Sequence, residues 1–115
     1  MFGGMGMGDL MKMVSQFGKI KENMVQAQSR SRARTVIGEA GAGLVKAEAN
    51  GVGEILAVHF DPDALKDPES LGTLTTAAVN LALHKSREVL LEETRAAMGG
   101  IDLPPDIMNL LGERR

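Results

Sequence analysis

The 115-residue chain contains no cysteine, no tryptophan and no tyrosine, and only three phenylalanines. The missing cysteine removes disulfides, thiolate chemistry and Cys-based zinc sites together, and is compatible with a reducing cytoplasm. The shortage of aromatics means that a core must be built from Ala, Val, Leu, Ile and Met, although 43% of the chain is hydrophobic. Such a core is small for a monomer of this length, and pairing with a second copy would enlarge it. No apolar run approaches the roughly 18 to 20 residues that span a bilayer, and the N-terminus lacks the basic flank and apolar block of a secretory signal. A soluble protein without a membrane partner is expected. The two histidines, His59 and His84, stand 25 positions apart with no accompanying metal-ligand spacing, so neither a metal site nor a nucleophile-base pair is indicated. No catalytic residue, metal ligand or cofactor motif emerges.

What is present is an uneven charge distribution. The formal net charge is -2, yet residues 1 to 36 carry six basic residues (Lys12, Lys19, Lys21, Arg30, Arg32, Arg34) against Asp9 and Glu22, a net +4. The remainder carries seven basic against thirteen acidic residues, a net -6. A basic N-terminal third on an acidic body points to a polyanion or an acidic partner surface.

The stretch from Gly38 to Phe60 organises the chain. Asn50-Gly51 separates two alternating runs, Leu44 to Ala49 and Val52 to Phe60, which predicts a β-hairpin closed by a two-residue type I′ turn with positive φ at both residues. That register places Val45, Ala47 and Ala49 on one face with Val52, Leu56, Val58 and Phe60, and Lys46 and Glu48 on the other. Gly38-Glu39-Ala40-Gly41-Ala42-Gly43 reads as a turn before the hairpin. Its glycines resemble a phosphate cradle only in spacing, because a strand and not a helix follows them.

Upstream, residues 1 to 8 form a Gly/Met-rich leader expected to be flexible, since each Gly weakens helix by about 1 kcal/mol relative to Ala. Asp9 is a plausible N-cap. Leu10, Met13, Val14, Phe17, Ile20, Met24 and Val25 then recur at helical spacing and predict an amphipathic helix over about 9 to 29. Its Met-rich stripe fits core or dimer packing at this spacing, with an adaptable binding groove as the alternative. In Ser29 to Arg34 the period changes, and a first strand centred on Thr35 to Ile37 is expected. Downstream, Asp61 to Ser70 holds Pro62 and Pro68 and reads as a connection. Its acids, Asp61, Asp63, Asp67 and Glu69, lack the calcium-loop pattern, because Lys66 and Gly72 stand where Gly and Glu would be required. They fit turn-making and N-capping roles. A second helix is predicted over about 69 to 98, with Glu92 and Glu93 on a solvated face in reach of Arg95. A short C-terminal tail, 99 to 115, contains Leu103-Pro104-Pro105. The fold class is therefore α/β (α+β): long N-terminal helix, three-stranded antiparallel meander, long second helix and tail, as a single domain over 1 to 115.

At these residues the chain resembles a known family. The Gly-rich leader opening into Leu10-Met11-Lys12, the Gly38 to Lys46 block, Asn50-Gly51, Phe60-Asp61-Pro62, Ala77-Ala78-Val79-Asn80-Leu81-Ala82 and Leu103-Pro104-Pro105 are together similar to the YbaB/EbfC family of bacterial nucleoid-associated proteins. The resemblance covers essentially the whole chain and implies an intertwined homodimer whose long helices extend from a central sheet. It implies binding of double-stranded DNA with loose sequence preference, change in the duplex's conformation, and roles in nucleoid organisation and gene regulation. It further implies a cytoplasmic, nucleoid location, no catalysis, and association with replication or recombination proteins. The Ser29 to Arg34 run departs from relatives whose first helix is Gln/Glu/Lys-rich up to the strand. Candidate DNA contacts therefore rest on charge and placement: Lys12, Lys19, Lys21, Arg30, Arg32 and Arg34. No helix-turn-helix pattern and no aromatic interleaving is present, which leaves phosphate-directed, shape-tolerant binding. The competing reading is a dimeric adaptor that docks another protein through its Met-rich helix or acidic half, with weak or absent DNA contact.

Overall fold

The computed structural model describes residues 6–99, and the tail expected over 99 to 115 lies outside them from residue 100 onward. Helix α1 spans Met7–Ala33, strands β1, β2 and β3 span Thr35–Ala40, Val45–Asn50 and Ile55–Phe60, a short 3-10 helix spans Pro62–Lys66, and helix α2 spans Pro68–Ala97. The three strands form one antiparallel sheet in the order β1-β2-β3. The expected α+β order of elements is the order observed.

Helix α1 is longer than its periodicity suggested, at both ends. At the start Gly6 is the N-cap and Asp9 lies at N3, where its carboxylate accepts from the Gly6 N–H at 3.4 Å. Met7 and Gly8 are thus helical and not part of a flexible leader; residues 1 to 5 lie outside the described residues. At the far end the helix continues through Ser29 to Ala33 where a change to strand was expected. The alternation there is of Ser and Arg and gives no apolar face, while arginine is a good helix former that suits the negative end of a helix dipole. Ser31 is fully buried, and its hydroxyl donates back to the Ala27 carbonyl at 2.8 Å. The helix stops at Arg34, which is extended.

The start of α2 is fixed by its cap. Asp67 accepts from the N–H groups of Glu69 and Ser70, Ser70 Oγ donates to its other carboxylate oxygen at 2.8 Å, and Pro68 occupies the first turn, where no N–H is needed. These bonds, first that from the Ser70 hydroxyl, hold the Asp67 carboxyl below its ordinary range. Asp61 caps the 3-10 helix in the same way through Asp63 N–H.

The hairpin forms, but through a different turn. Neither Asn50 nor Gly51 has positive φ; the left-handed residue is Gly53, at 82°. Asn50 closes a longer loop with its side chain, Oδ1 accepting from Val52 and Glu54 N–H at 3.1 Å each and Nδ2 donating to Glu54 at 2.6 Å. Val45 is therefore opposite Phe60 and Ala47 opposite Val58, with one extra residue in β3 between Glu48 and Ala49 of its partner. The shift from the predicted register is an even number of residues over Val45 to Glu48, so the predicted sharing of faces survives there. Gly38, expected in a turn, lies within β1 opposite Ala47, and the turn is displaced to Gly41, Ala42 and Gly43, all with positive φ.

Helix α2 packs on the sheet chiefly over β1 and β2, and the layer between them is made of small side chains. Val45, Ala47 and Ala49 of β2, Ala78 and Ala82 of α2, and Ala64 form the buried core. Val45 is the largest of these, and the other large, fully buried side chains among the described residues, Ser31 and Ser86, lie outside this cluster. The alanines of α2 are thus covered by the chain's own sheet. Close approach is possible because Gly38 has no Cβ: one placed there would overlap the Ala78 carbonyl and the Ala82 amide nitrogen. Both obstacles are helix backbone and cannot rotate away. Gly38→Ala is accordingly expected to lower stability by about 3 kcal/mol, the upper end of overpacking costs, measured as a reduced urea midpoint.

Candidate nucleic-acid interface

The C-terminal part of α1 and the C-terminal part of α2 lie side by side, and the hairpin tip is wedged between them. Gly51 N–H donates to the Ser31 carbonyl at 2.8 Å, and Gly53 N–H donates to Ser86 Oγ at 2.9 Å. A Cβ on Gly51 would come within 2.5 Å of Val89 Cγ1 and 2.6 Å of Ser31 O, so the glycine is required by contact and not by φ. Further along, Asn23 Nδ2 donates to the carbonyl of Ala97 at 3.2 Å. Before that point α1 runs on: every residue from Met7 to Lys19 is exposed. At about 1.5 Å per residue the segment from Met7 to Glu22 is about 24 Å of helix.

On this helix the six predicted basic residues do not form one face. With about 100° per residue, Lys12, Lys19 and Arg30 fall in a single line, spread over about 27 Å of axis, whereas Lys21 and Arg32 point to the opposite side. That opposite side carries Leu10, Val14, Phe17 and Val25, which are 45%, 69%, 65% and 62% exposed. Arg34 stands just past the helix as its C-cap.

The arginines also differ from the lysines in their partners. Arg30 Nε is 2.9 Å from Glu93 Oε1, and Arg34 Nη1 is 2.8 Å from Glu92 Oε1 and 2.9 Å from Glu93 Oε2. Arg32 Nε lies 3.8 Å from Glu54. Among the described residues no ion pair is made by Lys12, Lys19 or Lys21 within the same distance. Glu92 is solvated as expected, at 69% exposure, whereas Glu93 is only 15% exposed, and together they reach across to Arg30 and Arg34 and not along α2 to Arg95. Sequence reasoning missed them because their partners are about sixty residues away, and only the antiparallel contact of the two helix ends joins them.

Hydrogen bonds from Arg30 and then Arg34 hold the Glu93 carboxyl below its ordinary range, and bonds to Glu92 and then Glu93 raise the Arg34 pKa. The remaining polar clusters are structural. His59 pairs with Glu48 at 2.6 Å on the outer face of the sheet, and His84 lies 3.7 Å from Glu88 on α2. Among the described residues no group of three or more His, Cys, Asp or Glu could hold a metal ion, and no helix is long and apolar enough to cross a membrane.

The family model for the YbaB/EbfC DNA-binding family matches residues 6–101. The chain belongs to this family. It is 41% identical over 102 residues to a nucleoid-associated protein of Moorella thermoacetica, covering 87% of this chain and 98% of that one. It is 38% identical over 106 residues to a nucleoid-associated protein of Chlorobium luteolum, covering 92% and 94%. The fold matches the crystal structure of uncharacterized protein HP0035 from Helicobacter pylori with a TM-score of 0.65, at 19% identity, over 85% of this chain and 99% of that one. The family is one of DNA-binding proteins and not of enzymes.

The direction of the Glu93 shift fixes a pH dependence. A carboxyl whose folded-state pKa is depressed contributes stability above its unfolded pKa, and that contribution is lost as pH falls through the folded value. Wild-type protein should therefore lose stability on acidification through this range more steeply than Glu93→Gln, measured as urea midpoints against pH.

Proposed function

We propose that this YbaB/EbfC family protein is a homodimeric, nucleoid-associated binder of double-stranded DNA that contacts the phosphate backbone with loose sequence preference. In doing so it alters the conformation of the duplex and contributes to nucleoid organisation and gene regulation, from a cytoplasmic, nucleoid location. The observation that carries this reading is the projecting half of α1, on which Lys12 and Lys19 stand one above the other with no ion pair to a carboxylate among the described residues, in a chain of a DNA-binding family. Two lysines on a solvated helix are point charges suited to phosphate and carry no base-reading geometry, which accounts for loose preference. Lys21, Arg30, Arg32 and Arg34 complete the proposed contact set. Lys21 and Arg32 would reach a different part of the duplex path from the others, because they leave α1 on its other side.

Dimerisation is supported by what the single chain leaves uncovered. Helix α2 crosses β1 and β2 and barely reaches β3, so Leu56 and Phe60 are 54% and 42% exposed although Val45, opposite Phe60, is buried. Phe60 and Val79 line an open groove of about 550 Å³ with Leu71 and Thr75. A second copy seated on the β3 edge and this flank of α2 would enlarge a core whose fully buried members are Val45 and alanines. It would also bring two α1 arms to one duplex. The apolar stripe of α1 supports the alternative of an adaptor for another protein, with replication and recombination proteins as the implied partners.

Fluorescence anisotropy with a duplex of arbitrary sequence tests the DNA reading. Binding should weaken with salt, and Lys12→Ala/Lys19→Ala should flatten the slope of log affinity against log salt by about 3.6, since four phosphate contacts are lost per dimer at roughly 0.9 each. Absence of binding at tens of micromolar near physiological salt would favour the adaptor. Light scattering should give two chains of 12.2 kDa at micromolar concentration, and Phe60→Asp should shift the mass toward one.

A further inference from the structure

The clasp between the helix ends contains two cations and two anions, and it uses the groups that a phosphate would use. We propose that Glu92 and Glu93 are an intramolecular competitor for DNA phosphate: they hold Arg30 and Arg34 in the free protein and thereby set the affinity and the salt dependence of DNA binding. The proposal rests on the DNA-binding reading and concerns the regulation of that site.

A guanidinium fork matches a carboxylate and a phosphate with the same planar, charge-assisted geometry, so the two anions exclude each other at one edge of the group. Here three such bonds of 2.8 to 2.9 Å are already made. The arginines are not hidden by them: their side chains remain 48% and 41% exposed, and Glu92 is 69% exposed. A phosphate can reach the guanidinium groups, but it must displace a carboxylate to take the same edge. The clasp has no net charge, so Arg30 and Arg34 add little to the field that attracts a duplex from a distance, and Lys12 and Lys19 carry that role. Arg30 stands in line with those lysines, so a duplex lying along them is directed to the clasp. Glu93 is the stronger holder, since it bonds both arginines and its side chain is only 15% exposed; Glu92 bonds Arg34 alone.

The test compares full-length wild type, Glu92→Gln, Glu93→Gln and the double variant E92Q/E93Q by anisotropy on one duplex across a salt series. The double variant should bind at least tenfold more tightly near 0.1 M salt, with a slope steeper by up to about 3.6, because two arginines on each of two protomers become free for phosphate. Adding Arg30→Ala and Arg34→Ala to it should abolish the gain, which a general loss of negative charge would not predict. Glu69→Gln/Glu88→Gln removes the same charge from α2 away from the arginines and should leave the slope unchanged. Equal or weaker binding by E92Q/E93Q, with native circular dichroism, overturns the proposal. So does a gain that survives removal of the arginines. If the double variant fails to fold, Glu92→Gln decides, because that residue is mostly solvated: a steeper slope supports the proposal and an unchanged one overturns it. Failure of both wild type and E92Q/E93Q to bind at tens of micromolar removes the DNA reading itself, a result distinct from binding by both with equal slopes.

Discussion

The hydrogen bond from Gly51 N–H to the Ser31 carbonyl is the constraint on which the arrangement of the three layers depends. It joins the tip of the β2-β3 hairpin to the last turns of α1, and the absent Cβ of Gly51 lets Val89 of α2 close on the same point. Helix, sheet and second helix therefore meet at a site made of Ala27, Ser31, Gly51, Ser86 and Val89, with no large side chain between them. Ser31 and Ser86 are buried but satisfied, one through the Ala27 carbonyl and the other through Gly53 N–H. Because the junction grips only the far half of α1, the direction of the whole helix is set there, and the near half continues outward without support from α2.

The same preference for small residues explains both the closeness of α2 to the sheet and the incompleteness of the core. Gly38, Ala47, Ala78 and Ala82 allow helix and sheet backbones to approach nearly to contact, which excludes water efficiently along β1 and β2. The cost is that a helix lying so low on two strands cannot also cover the third. Leu56 and Phe60 are left outside, on the face of the sheet that the sequence assigned to the core. The exposure of these two side chains is the physical ground on which the homodimer is proposed.

Much of the fold was legible because periodicity survives local error. The apolar spacing from Leu10 to Val25 locates the first helix, and Pro68 with Asp67 marks where α2 begins. The hairpin was legible from Asn50-Gly51, but its turn was not: the pair was read for its tolerance of positive φ, whereas Asn50 acts through its side-chain amide and Gly51 through its lack of a side chain. Both uses depend on partners distant in sequence, or on loop length, which a dipeptide does not encode. Gly38 was misread for the same reason, as a turn former when it is a packing glycine under α2. The basic residues were legible as a set. Their division into a lysine line and a clasped arginine pair was not, because it follows from the phase of α1 and from carboxylates on the other long helix.

That division changes what net charge means for this chain. The basic N-terminal third has a net +4 in sequence, but Arg30 and Arg34 are neutralised locally by acids from the acidic two thirds, and Arg32 stands near Glu54. Of the six basic residues, the three without an ion pair among the described residues, Lys12, Lys19 and Lys21, therefore stand on the projecting helix and not at the junction to the sheet. Arg30, Arg34 and Glu92 remain largely solvated, and ion pairs with exposed partners contribute little to stability, so the clasp can be exchanged for another anion while still orienting both guanidinium groups beforehand. An arm with free lysines and a root with occupied arginines separates attraction from tight contact. The boundary between the two lies at Asn23, where α2 ends its support of α1 through the Ala97 carbonyl.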